Sequence, residues 1–193
     1  AIGMATLTTQ NFTTSTDAYN TAVGFAAGNA VTTGVQNTLI GGVAGDALDV
    51  GSFNVVMGTS ALGADTKGSY SVAIGHAALT SQNFTTATDA YNVAVGRAAG
   101  GAVSTGIQNT LIGGLAGDAL TNSNYNTAVG YSTLSTDTLG ARNTAIGHEA
   151  LGTQNFTTAT NSGNTAVGMA AGRLVTTGIE NTLIGFQAGD DLT

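Results

Sequence analysis

Short stretches of this chain alternate branched and small side chains, and each stretch closes on glycine. The motif is Thr or Val, then mostly Ala or Leu, then Val, Ile or Met, then Gly, as in "TAVG" at 21–24, "TLIG" at 38–41 and "VAIG" at 72–75. Mostly β-branched residues two apart share one face of a strand, and the residue between them faces the other way. A helix is a poor reading, because glycine recurs too often and Ala is interleaved with Thr and Val. Each motif therefore predicts a strand closed at a glycine, where φ is positive or backbones approach closely. A second glycine ten residues on, at Gly34, Gly51, Gly68, Gly106, Gly140 and Gly178, predicts another corner.

The motif glycines are Gly3, Gly24, Gly41, Gly58, Gly75, Gly96, Gly113, Gly130, Gly147, Gly168 and Gly185, spaced 21, 17, 17, 17, then 21, 17, 17, 17, then 21, 17. Four units make a super-repeat of 72 residues: 3–74, 75–146 and a partial 147–193, within one repetitive region spanning 1–193. The longer unit always carries the same insertion, "TTQNFTTSTDAYN", "TSQNFTTATDAYN" or "GTQNFTTATNSGN". Two turns in 17 residues describe one coil of an all-β parallel β-solenoid or β-roll. About eleven coils, stacked ~4.8 Å apart, make a rod on the order of 50 Å long.

Stacking turns each column of like residues into a ladder. Asn20, Asn37, Asn54, Asn92, Asn109, Asn126, Asn143, Asn164 and Asn181 form one, expected to hydrogen-bond backbone or neighbouring Asn at the turn, with Ser71 the exception. The column between the branched residues is mostly Ala (Ala22, Ala73, Ala94, Ala128, Ala145, Ala166), with Leu39, Leu111 and Leu183 once per super-repeat. An alanine face is too smooth and apolar to stay wet, and short coils bury little apolar surface. A homotrimer packed on its alanine faces around a threefold axis, with the leucines as plugs, is therefore expected over a single-chain solenoid. The chain enters in mid-motif at "AIG" and stops in mid-coil at "GDDLT", which reads as a section of a longer repetitive fibre.

Composition narrows the function. The net charge is −7 with four basic residues, which argues against nucleic acid and against attraction to an anionic membrane surface. No apolar run approaches a membrane span. The chain has no Cys, which excludes disulfides and thiolate metal sites.

In "NTAVGFAAG", "NTLIGGVAG", "SVAIGHAAL", "NTAVGYSTL" and "NTAIGHEAL" the chain resembles the "NTAIGYQAL" repeats of phage and bacterial tail-fibre-like proteins. It is also similar in pattern to the head repeats of trimeric autotransporter adhesins. The resemblance covers essentially the whole chain, and the 17-residue coil is nearer the fibre type. It implies an extracellular or virion-borne trimeric β-roll, serving as a shaft or an adhesive head. Partners are then further copies of the chain and a cell-surface glycan or protein receptor.

Candidate chemistry is sparse. His76 and His148 follow the motif glycine one super-repeat apart, about four coils or ~19 Å, too far for a shared metal. Nothing matches a Ser–His–Asp arrangement or a phosphate loop, so an enzyme is not expected, and no cofactor or metal is. Asp46, Asp118 and Asp190 read as solvated charge, with calcium between Asp46 and Asp49 the lesser alternative. The insertion is the best binding candidate, because four extra residues bulge from a rigid rod and carry Phe12, Phe84 or Phe156 in a polar "QNFTT" loop. The competing reading has those rings folding back to cover a groove. A flat threonine array that binds ice is disfavoured, because Val55, Val72 and Val93 interrupt the Thr column and the Thr32–Thr33 pair has counterparts only once per super-repeat. Two readings stay open: a spacer shaft, and an adhesin whose loops hold a receptor.

Overall fold

The computed structural model describes residues 1–192, and they form a parallel β-solenoid with no helix. Ten three-residue strands, from Thr21–Val23 to Thr182–Ile184, stack in chain order into one parallel sheet. The register is that of the motif: Thr21 pairs with Thr38, Ala22 with Leu39 and Val23 with Ile40, and every later rung repeats it. The sheet has ten strands; the eleventh rung expected at the N-terminus contributes only an isolated bridge from Ile2 to Val23. Two-residue strands pair on another wall, Gly68–Ser69 with Thr88–Asp89 and Gly140–Ala141 with Thr160–Asn161. Both pairs sit where a plain coil meets an inserted one.

The motif glycines have φ between 128° and 140°, a region barred to L side chains. Space forbids a side chain there as well: a Cβ on Gly96 would lie 2.4 Å from the carbonyl oxygen of Gly113 in the next coil. The coil bends at more places than the two corners expected. Left-handed residues recur just before each ladder asparagine (Tyr19, Gln36, Phe53), two after each motif glycine (Ala26, Val43, Ser60) and four after it (Gly28, Gly45, Leu62).

The alanine column requires a correction. Ala22 is 1% exposed, and Leu39, Val56, Ala73, Ala94, Leu111, Ala128, Ala145 and Ala166 are 0% exposed within a single chain. The alanine face is therefore the inner face of the coil, and no second copy is needed to cover it. A coil this short encloses a lumen about one small side chain deep, so the middle residue must be small unless room is made. Glycine makes that room. A Cβ on Gly28 would come within 2.5 Å of Leu39, and one on Gly45 within 3.0 Å. Gly100 and Gly117 bracket Leu111 in the same way, and Gly172 and Gly189 bracket Leu183. In the coils of Val56, Ala73, Ala128 and Ala145, which adjoin no leucine on the far side of such a corner, a core leucine takes the glycine's place at Leu62, Leu79, Leu134 and Leu151. The leucines fill the coil's own core, not an axis between copies.

Candidate functional site

The asparagine column is a hydrogen-bonded spine, bridged at Ser71 by Gln82, which donates to the serine hydroxyl and accepts from Asn92. An amide side chain both donates and accepts, which a ladder rung requires. Asn37 Nδ2 donates to Gly51 O at 2.9 Å, while Asn37 Oδ1 accepts the backbone N–H of Asn54 at 3.0 Å. Asn92, Asn126 and Asn164 repeat both bonds along the rod, and Asn20 does so at its less buried N-terminal end. Nearly all of these groups are buried, so each bond removed would leave a neighbour unsatisfied.

The inserted coils hold a second polar structure. Asp65 Oδ1 accepts the N–H of Gly68 at 3.0 Å and of Phe84 at 3.3 Å, while Gln82 Nε2 donates to Asp65 Oδ2 at 2.6 Å. Asn92 Nδ2 then donates to Gln82 Oε1 at 2.8 Å, tying the clasp to the spine. One super-repeat on, Asp137, Gln154 and Asn164 repeat it at 2.6 and 2.7 Å. Both carboxylates and both glutamines are fully buried. Sequence reasoning passed over these residues, although "DTKG" and "DTLG" lie 17 residues ahead of Gln82 and Gln154 in the letters.

Phe84 and Phe156 are 5% and 7% exposed: they turn inward against Gly68 and Gly140, where a Cβ would meet the ring at 3.0 and 2.9 Å. Phe12 is half-buried. The insertion instead offers solvent Thr85, Thr86 and Ala87, and Thr157, Thr158 and Ala159. A ligand on these loops would meet hydroxyls and methyls, not phenyl rings.

The outer face of the ten-stranded sheet is a regular surface of two side-chain columns. One column reads Thr21, Thr38, Val55, Val72, Val93, Thr110, Thr127, Thr144, Thr165 and Thr182; the other runs from Val23 to Ile184. All twenty positions are uncharged, and all except Met57 are β-branched. Restricted χ1 rotamers make this face stiff as well as flat. It is partly open, with Met57 42% and Ile112 38% exposed.

The remaining candidates stand apart. His76 is exposed, and His148 stacks on Tyr131 with ring centroids 5.7 Å apart. Phe53, Tyr70 and Tyr91 stack along one corner at 4.8 and 5.1 Å, so both faces of the central Tyr70 ring are taken by its neighbours. Burial, then the charge of Asp89, lifts the Tyr91 hydroxyl above its usual range. Burial likewise raises the carboxyls of Asp46 and Asp118. Among the described residues, no three His, Asp or Glu side chains cluster as metal ligands. Compared with known proteins, the chain matches no family model, no curated protein and no solved structure.

Proposed function

We propose that this chain is a structural shaft, a segment of an extracellular fibre on a virion or cell surface, whose copies assemble through the outer sheet face. The carrying observation is that face: ten rungs of stiff, uncharged side chains, β-branched at every position except Met57. At ~4.8 Å per rung and about 7 Å between columns, the strip is on the order of 45 Å by 10 Å. Left wet, at about 450 Å² it would match the largest patches that monomers expose, which are often functional. Three copies around an axis, each turning this strip inward, would bury it while leaving the insertions outside. The repeat pattern's resemblance to tail-fibre and adhesin-head proteins supports the same reading.

Sedimentation tests it. A mass of three chains at micromolar concentration is expected, with Val93→Lys returning the protein to a single-chain mass. A parent protein that sediments as one chain overturns the assembly. If that monomer also shows thermal hysteresis, the face belongs to ordered water despite the interruptions of the Thr column at Val55, Val72 and Val93.

An adhesive head is the second reading, favoured by the exposed tips at 85–87 and 157–159, which repeat at the super-repeat interval. Replacing both tips with glycine and serine should abolish attachment to target cells if they hold a receptor, and leave attachment unchanged if they are spacers.

A further inference from the structure

A groove of about 300 Å³ opens on the side of the rod between Ser132, Ser135, Glu149, Gly152, Thr153 and Arg173. The repeats themselves show what the scaffold requires at these places. Glu149 stands where earlier super-repeats have Ala77 and Ala5, and Arg173 where they have Gly101 and Asn29. Those coils fold with the same register and the same backbone corner, so neither charge is needed for the fold. Glu149 even occupies a left-handed position, φ 54°, which disfavours a long side chain relative to glycine. The two charges line one groove and arise together in the third super-repeat.

The polar groups are positioned but underused. Arg173 is braced by Asp190, with Nε to Oδ1 at 3.1 Å and Nη2 to Oδ2 at 3.3 Å. That pairing fixes the guanidinium plane and leaves Nη1 with two donors. Among the described residues, Nη1, the Glu149 carboxylate and the hydroxyls of Ser132 and Ser135 make no hydrogen bond within the protein. Thr153 is occupied, donating to Arg173 O at 2.6 Å.

We infer that this groove is a subsite for a neutral saccharide. A carboxylate accepts from adjacent sugar hydroxyls, a guanidinium donates to a hydroxyl or ring oxygen, and serine hydroxyls do both. The charge balance selects against acidic sugars: Glu149 and Asp190 outnumber Arg173, on a chain of net charge −7. The site lies on the side turns and not on the outer sheet face, so it stands or falls independently of the assembly proposed above.

The test is amide NMR on the full chain with methyl glucoside, methyl galactoside and methyl mannoside at millimolar concentration, and N-acetylneuraminic acid as the acidic probe. At least one neutral hexoside should shift the amides of residues 132–135, 149–153 and 173, and the acid should not. The Glu149→Ala, Arg173→Gly double variant carries residues that the second super-repeat already tolerates, so it keeps the fold. Its affinity should fall about tenfold or more. The inference is overturned if no neutral hexoside moves those amides, if only the acid does, or if the double variant binds as tightly as the parent.

Discussion

Gly101→Arg is the most direct probe of how charge is managed along the rod. Gly101 and Asp118 occupy the same column, one coil apart, as Arg173 and Asp190. In the third super-repeat the pair is bonded; in the second, Asp118 faces a glycine, and its buried Oδ1 has no hydrogen-bond partner. The backbone is ready for the change. Gly101 N–H donates to Ala98 O at 3.0 Å, as Arg173 N–H does to Ala170 O at 3.2 Å, and Gly101 does not adopt positive φ. A Cβ would sit 3.2 Å from Ala98 O, a contact eased by a few tenths of an ångström.

Three contributions set the size of the effect. Supplying the orphaned oxygen with a donor recovers about 1–3 kcal/mol, and the partly exposed ion pair adds about 0.5 kcal/mol. Removing a glycine from the unfolded chain adds about 0.5 kcal/mol, against roughly 1.5 kcal/mol for ordering the arginine. The net is a stabilisation of about 0.5–2.5 kcal/mol near neutral pH.

The sign with pH follows from the burial that raises the Asp118 carboxyl above its ordinary 3.8. The folded parent holds this proton more tightly than the unfolded chain, so this group's contribution falls as pH rises from about 3.8 through the raised value. Near neutral pH the buried carboxylate is charged and unpaired, and arginine helps most. At about pH 3 it is neutral in both states, and the gain should shrink to a few tenths of a kcal/mol. Urea midpoints followed by circular dichroism at both pH values measure the difference, and the neutral-pH melting temperature should rise by about 2–4 °C per kcal/mol. A gain equal at both pH values, or none, would refute the account of Asp118 as an underserved carboxylate.

Three further substitutions test other parts of the rod. Leu111→Ala should cost about 3–5 kcal/mol by urea denaturation, because Gly100 and Gly117 leave a void that no neighbour fills; adding Gly117→Ala should recover part of the loss. Gly96→Ala should be worse than an ordinary core change, with the circular dichroism of the parallel sheet lost or the chain insoluble, since a Cβ there meets a backbone carbonyl of the next coil and not a movable side chain. Asp65→Asn turns an amide N–H₂ or a weaker acceptor toward Gln82 Nε2 and should cost about 1–3 kcal/mol; faster amide exchange confined to residues 82–92 is the expected signature, and unchanged exchange would remove the clasp's role in fixing the insertion.

The period, the strands and their parallel register were all legible in the letters, because a two-residue alternation closed by glycine leaves few backbone solutions. What the letters left ambiguous was direction. Alternation tells that Ala22 and Thr21 face opposite ways but not which way is in, and small residues suit both a tight interface and a narrow lumen. The exchange of Leu39 for Leu62, with glycines at 28 and 45, held the answer, since a leucine that needs two glycines is inside. Phe84 left two readings for a related reason: a ring among polar letters suits a contact or a fold back over a groove, and its burial against Gly68, beside Asp65 and Gln82, is the second. The groove around Glu149 and Arg173 was not visible as a site, because its parts are spread over three successive coils and gain meaning only against their counterparts in the repeat.

The four-coil cadence of the buried clasp makes reach a counted quantity. Each 72-residue block advances the rod by about 19 Å and returns the same cross-section, the same clasp and the same unpaired edge for the next block. Recombination between near-identical blocks would thus lengthen or shorten the molecule in whole steps without disturbing any join, so that span evolves by copy number while each block drifts toward its own surface chemistry.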